Sequence, residues 1–193
     1  MKELEDIIKA IDALNTQDPR TETVDGVDYP KEVLYSKRMT ACLENFDSAP
    51  SIVAQIAVRA QHLCRWKIAR NEYPIGKAGY SKWRTELGKL HARLASEIVL
   101  EKTGNEELAQ KVSSTIRKKK IKANPDAQTM EDCACLVFLE FHFADFVKDY
   151  NESKVIDIVA KTWKKMSEKG HEAALKLNFS DEHLALIKQA LNG

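Results

Sequence analysis

Apolar residues return every three or four positions along almost the whole chain, and runs that alternate apolar with polar are few. That period predicts amphipathic helices and an all-α fold. Leu4, Ile7, Ile8, Ile11 and Leu14 mark a first helix over 3–14. Segment 15–30 carries Asp-Pro and Asp-Gly turn signals and reads as a connection, with Pro30 placed to open a helix over 31–46. Leu34, Tyr35, Met39, Cys42, Leu43 and Phe46 form the inward face of that second helix. A third helix is predicted after Ser48, with Pro50 in its first turn. It runs to about 66 and buries Ile52, Val53, Ile56, Ala57, Ala60 and Leu63.

Asn71, Pro74, Gly76 and Gly79 then break the pattern before a helix over 80–102, whose seam is Trp83, Leu87, Leu90, Leu94 and Ile98. Gly104 and Asn105 close it and cap the next, over 106–120. The last turns of that helix hold Arg-Lys-Lys-Lys, which reads as cations that complement the dipole at a helix C-terminus in preference to a nucleic-acid patch. From Thr129 through Val147 the pattern is apolar on nearly every side, which predicts a central, buried helix. Helices over 153–168 and 171–177, separated by Gly170, and a last one capped by Ser180 complete the chain.

Composition narrows this picture. The 193 residues suit one domain, and 44% hydrophobic with 31% charged residues is the balance of a water-soluble globular protein. No apolar run approaches membrane-spanning length, and the start alternates acids and bases, so a cytoplasmic location without membrane attachment is expected. Cys42, Cys64, Cys133 and Cys135 sit inside apolar helical patterns and read as reduced core thiols.

Charge changes the picture more. Residues 59–93 hold nine Lys and Arg against two acids, a balance of +7 in a chain whose net charge is +1. Such asymmetry points to an anionic ligand. Gln55, Arg59, His62 and Trp66 follow at steps of four, three and four and so line one face of the predicted third helix, with Arg65 beside them. His91 borders the seam of the 80–102 helix, with Arg84 two turns and Gly88 one turn before it. Gly88 marks either the close approach of a ligand or crowding by another helix. Glu131 and Asp132 read as first-turn acids on a helix dipole; Glu140, His142 and Asp145 read as polar groups satisfied in or beside the core.

Two short motifs fail. Lys-Met-Ser-Glu-Lys at 165–169 looks like the signature loop of class I aminoacyl-tRNA synthetases but is one residue short, and the chain lacks the nucleotide-binding α/β domain of those enzymes. Ile-Gly-Lys-Ala-Gly at 75–79 lacks the upstream Gly and the following Ser or Thr of a phosphate-binding P-loop.

The order of helices resembles the HD superfamily of metal-dependent phosphohydrolases over about residues 31–145. Ala-Val-Arg-Ala-Gln-His-Leu-Cys-Arg-Trp resembles its doublet helix, Leu-His-Ala-Arg-Leu-Ala-Ser-Glu-Ile-Val-Leu a later His-bearing helix, and Thr-Met-Glu-Asp-Cys-Ala-Cys-Leu-Val-Phe-Leu-Glu the helix of its final Asp. The resemblance implies an HD-like core over 31–145 within a single 1–193 domain, with helices of 146–193 packed on it. It also implies that His62, His91 and Asp132 serve catalysis or hold one divalent zinc, manganese or iron ion. Leu63 stands where the doublet Asp belongs, and Tyr35 or Ser36 where the first family His belongs.

Nearly the full length also resembles an uncharacterised group, domain-of-unknown-function family 4202. The likeness is carried by Tyr-Pro-Lys-Glu-Val-Leu-Tyr-Ser-Lys-Arg-Met at 29–39, Ala-Gln-His-Leu-Cys-Arg-Trp at 60–66, Gly-Tyr-Ser-Lys-Trp-Arg-Thr-Glu-Leu at 79–87 and Glu-Asp-Cys-Ala-Cys-Leu-Val-Phe-Leu-Glu at 131–140.

Together these features predict a pocket for a phosphate-bearing, nucleotide-like small molecule. Arg59, Arg65 and Arg84 would hold phosphate oxygens through paired guanidinium hydrogen bonds, Trp66 or Trp83 would stack on a base, and hydrolysis of a phosphate ester is the reaction the HD resemblance implies. The same basic face also fits a non-catalytic module for RNA or an acidic protein. A scaffold whose Trp and Arg stems simply cover the core is the third reading.

Overall fold

The computed structural model describes residues 2–192. Their chain is 74% helical with ten α-helices and a two-stranded sheet. It divides after Met130 into two compact units.

The first unit opens with α1 (Lys2–Asn15), where Ile7 and Ile11, one turn apart, are fully buried. The expected connection is in part a hairpin, β1 (Thr21–Val24) paired antiparallel with β2 (Val27–Pro30). Asp25 and Gly26 both take positive φ, the two-residue turn whose twist suits a hairpin. Four-residue strands are too short to stand out as an alternating pattern. Next comes α2 (Lys31–Phe46), with the predicted bounds, but its buried face is Glu32, Val33, Ser36, Met39 and Leu43. The stripe is rotated toward two polar residues, and Glu32 is among the partners of the site described below.

Helix α3 (Ile52–Ala60) is capped by Ser51, whose hydroxyl accepts from the Ala54 amide, and it ends well before residue 66. Gln55, Arg59, His62 and Trp66 therefore do not share one helical face. A turn and two short 3-10 segments lead to α4 (Lys77–Thr103), closed by Gly104 at φ 65. The Asn105 side chain caps α5 (Glu106–Ile116) as expected. The Arg-Lys-Lys-Lys run is not helical: Arg117 is the C-cap, and Lys118 and Lys120 have positive φ. Helix α5 packs along α4 and α3, and α1 packs along both α3 and α4. Ile56, Leu63, Leu87, Val99 and Val112 fill the core between them, each contributing about 1.5–3 kcal/mol by full burial.

Helix α6 (Pro125–Val137) begins before Thr129 and is buried along most of its second half, Met130 to Cys133 and Cys135 to Val137. Within the second unit it passes into one π-helical turn at 138–142 and then α7 (Phe143–Asp149). Helices α8 (Glu152–Trp163), α9 (Glu168–Ala174) and α10 (Asp181–Asn192) follow. Phe143, Val155, Val159, Ile187 and Ala190 form the core of this unit, with Phe138, Phe146 and Phe179 packed around them. Gly170 lies inside α9 rather than breaking a helix, and Ser167 of the 165–169 motif is the N-cap of α9. All four cysteines are free thiols. Among the described residues no helix is long and apolar enough to cross a membrane.

Candidate functional site

The site grows from the end of α3. Leu63 is fully buried and Cys64 is left-handed at φ 56, so the chain turns sharply there. The buried Asn15 side chain fixes the turn: its Oδ1 accepts from the Cys64 amide at 3.0 Å, and its Nδ2 donates to the Glu32 carbonyl at 3.4 Å. The turn exposes the Leu63 carbonyl to α4, where His91 Nδ1 donates to it at 2.7 Å. One hydrogen bond thus joins both histidine-bearing segments and fixes the tautomer of His91, because a carbonyl can only accept.

His62 is fixed on both ring nitrogens. Arg65 Nη1 donates to its Nε2 at 3.0 Å, which leaves the ring proton on Nδ1, 3.3 Å from Glu32 Oε2. The Tyr35 ring stacks on it with centroids 4.1 Å apart, and the Tyr35 hydroxyl donates to Gln61 Oε1. Behind Glu32, Arg20 bridges Glu32 and Asp18. Burial and the neighbouring charges of Arg65, Arg84 and Lys118 hold His62 well below the ordinary value of 6.5. Burial, reinforced by Arg65 and Arg84, pushes His91 down to about 3, against the opposing effect of its bond to Leu63. Burial raises the Glu32 carboxyl, while Arg65 and Arg20 draw it back. At neutral pH both imidazoles are uncharged and lie 6.0 Å apart between ring centres.

Beside them lies a pocket of about 300 Å³ within the first unit. Arg84, Thr85, Gly88, Lys89 and His91 line it from α4, Arg117 and Lys118 from the end of α5, and Gln61 and His62 from the turn. Leu87 and Ile116 add apolar wall. Four cationic residues and no Asp or Glu line it. A Cβ on Gly88 would meet nothing within 4 Å, so neither helix crowding nor a close backbone explains that glycine. It faces open space at the pocket wall.

The predicted residues separate accordingly. His62, His91 and Arg84 come together. Arg65 is largely withdrawn from solvent behind them, with its guanidinium 4.8 Å from the Trp83 ring centre. Arg59 is a core residue: Asp12 accepts from its Nε and Nη2 at 2.8 and 2.6 Å, and Thr40 accepts from its Nη1. Trp83 is 8% exposed and donates its indole N–H to the Ile68 carbonyl, so its face is not offered to a base. Trp66 lies in the 3-10 turn Arg65–Lys67, outside the pocket lining.

Asp132 has a structural task in the second unit. Its Oδ1 accepts from the Ser167 amide at 2.8 Å and its Oδ2 from the Ser167 hydroxyl at 2.7 Å, which fixes the start of α9. Among the described residues no group of three or more His, Cys, Asp or Glu is placed to hold a metal ion. Lys89, Arg117, Lys118, Gln61 and Thr85 were missed from sequence. The signal for Arg117 and Lys118 was present: the apolar period of α5, Ala109, Val112 and Ile116, stops just before the basic run.

Fold and site define an all-α protein with a cation-rimmed pocket walled by two neutral imidazoles, that of His91 buried and that of His62 partly buried. Over residues 5–187 the chain matches the family described as Domain of unknown function (DUF4202), and it belongs to that family. Comparison with curated proteins and comparison with solved structures each gave no match.

Proposed function

We propose that the protein binds a phosphate-bearing small molecule in the pocket between α4, the end of α5 and the turn after α3. One observation carries this reading: Arg84, Lys89, Arg117 and Lys118 line a concave site that contains no carboxylate to neutralise them. Lys89 also pairs with the nearby acid Glu86, but that pair is solvent-exposed and weak. An anion complements such a lining, and phosphate oxygens match guanidinium and ammonium donors. A concave volume of about 300 Å³ suits a small molecule better than RNA, which needs an extended track with exposed aromatic platforms. Trp83 is withheld from that role by its burial.

Calorimetric titration with inorganic phosphate and with phosphate monoesters tests the reading. Arg84→Ala and Lys118→Gly should each weaken binding by about tenfold or more, the worth of a charge-assisted hydrogen bond. Glycine suits the positive φ at Lys118, so that variant removes charge without straining the turn. Gly88→Leu should block the pocket while the protein stays folded. Unchanged affinity in the two charge variants, or no binding at all, rejects the proposal. Steeply salt-dependent binding of RNA oligomers of any sequence would mark the face as a nucleic-acid surface instead.

A further inference from the structure

Among the buried side-chain nitrogens and oxygens of the described residues, one has no hydrogen-bond partner: His91 Nε2. His91 is 3% exposed and lines the pocket. A buried polar atom left unpaired is costly, and such atoms are few in folded proteins, so each calls for a partner or a role. From this we infer that the ligand is a hydroxyl-bearing phosphate ester, such as a sugar phosphate or polyol phosphate. Its phosphate lies on the cations of the rim, and one neutral hydroxyl donates to His91 Nε2. The inference rests on the phosphate reading above and narrows it to a chemical class.

The chemistry of the nitrogen selects the donor. Nδ1 carries the ring proton because it donates to the Leu63 carbonyl, so Nε2 presents a lone pair and accepts. A phosphate oxygen without a proton offers it nothing. An ammonium group could donate, but Arg84 and Lys118 on the wall and Arg65 behind His62 repel a cation. A neutral donor remains, and we assign it to a hydroxyl, the neutral donor that sugar and polyol phosphates carry. His62 cannot share the task, since Arg65 occupies its Nε2 and its Nδ1 faces Glu32. Leu87 and Ile116 complete the match, giving the carbon skeleton of such an ester an apolar wall. The low pKa of His91 agrees with this role, because the nitrogen stays an acceptor throughout the neutral range.

The test compares matched pairs by calorimetry: glucose 6-phosphate against hexyl phosphate, and glycerol 3-phosphate against propyl phosphate. An alkyl chain offers Nε2 no donor and should bind worse than a chain bearing a hydroxyl. In at least one pair the hydroxylated ester should bind about tenfold more tightly, and His91→Phe should abolish that preference. Nitrogen-15 spectra of the unaltered protein provide a measurement independent of that variant. The His91 Nε2 resonance should move toward the hydrogen-bonded position with the preferred sugar or polyol phosphate and stay in place with its alkyl partner. Equal affinities within both pairs, a preference that survives in His91→Phe, or identical spectral responses to both members of each pair overturn the inference. Failure of inorganic phosphate and all four esters to bind would instead remove the phosphate reading beneath it.

Discussion

His91 stays uncharged where ordinary histidines titrate, because burial, Arg65 and Arg84 all oppose its proton. In the unfolded chain the same ring takes up a proton near 6.5, whereas in the folded chain it does so only at about 3. The unfolded state therefore binds more protons between those values, and stability falls as pH drops through that window. Between neutral pH and about pH 5, His91 alone should remove about 2 kcal/mol, from roughly 1.36 kcal/mol for each pH unit below its unfolded value. Urea unfolding at the two pH values measures this. His91→Phe should reduce the loss, while an equally acid-sensitive variant would show that His91 is not its source. At this scale His62, His91 and Arg84 were legible in sequence because local charge and aromatic content single out their stretch. Arg59 misled because its partner, Asp12, lies on another helix 47 residues away. Trp83 misled because its N–H is taken by a loop carbonyl that no spacing rule reveals.

A helix start deep in the second unit depends on one carboxylate. Asp132 holds the Ser167 amide and hydroxyl, and the Ser167 hydroxyl accepts from the Gly170 amide, so three residues form one cap for α9. Asp132→Ala should destabilise the protein by about 2 kcal/mol through two lost, partly buried hydrogen bonds to a carboxylate, and leave phosphate affinity unchanged. Gly170→Ala should act in the same direction, since its Cβ would lie 2.6 Å from Asp132 Oδ1. Thermal unfolding with a parallel phosphate titration separates the roles: loss of binding at full stability would return Asp132 to the site. Element ends were legible where a local cap marks them, as with Pro30 before α2, Asn105 before α5 and Ser180 before α10. The end of α3 was not, because neither Gly nor Pro follows Ala60. What stops it is the left-handed Cys64 held by Asn15, a residue 49 positions earlier.

For the molecule as a whole, far-ultraviolet circular dichroism should report close to the 74% helix of the structure. A substantial sheet signal would contradict the fold. Fold class was legible because the 3.6-residue period runs through every long segment, whereas the hairpin of 21–30 was too short to register. The +7 balance of residues 59–93 does not describe the candidate pocket: its charges disperse into the core, over an indole and onto Glu86 and Glu97, and two of the four pocket cations come from beyond the stretch. The π-helical turn at 138–142 carries a consequence for how chain length can vary in this family. Such a turn holds one residue more than regular α-helix would use, and each helical residue sets the direction of the next by about 100°. A relative one residue shorter in this interval would gain an unbroken helix but swing Phe143 away from Val155, Val159 and Ile187. The extra residue works as a rotational spacer, and single deletions there should be rarer among relatives than in the hairpin turn at Asp25 and Gly26.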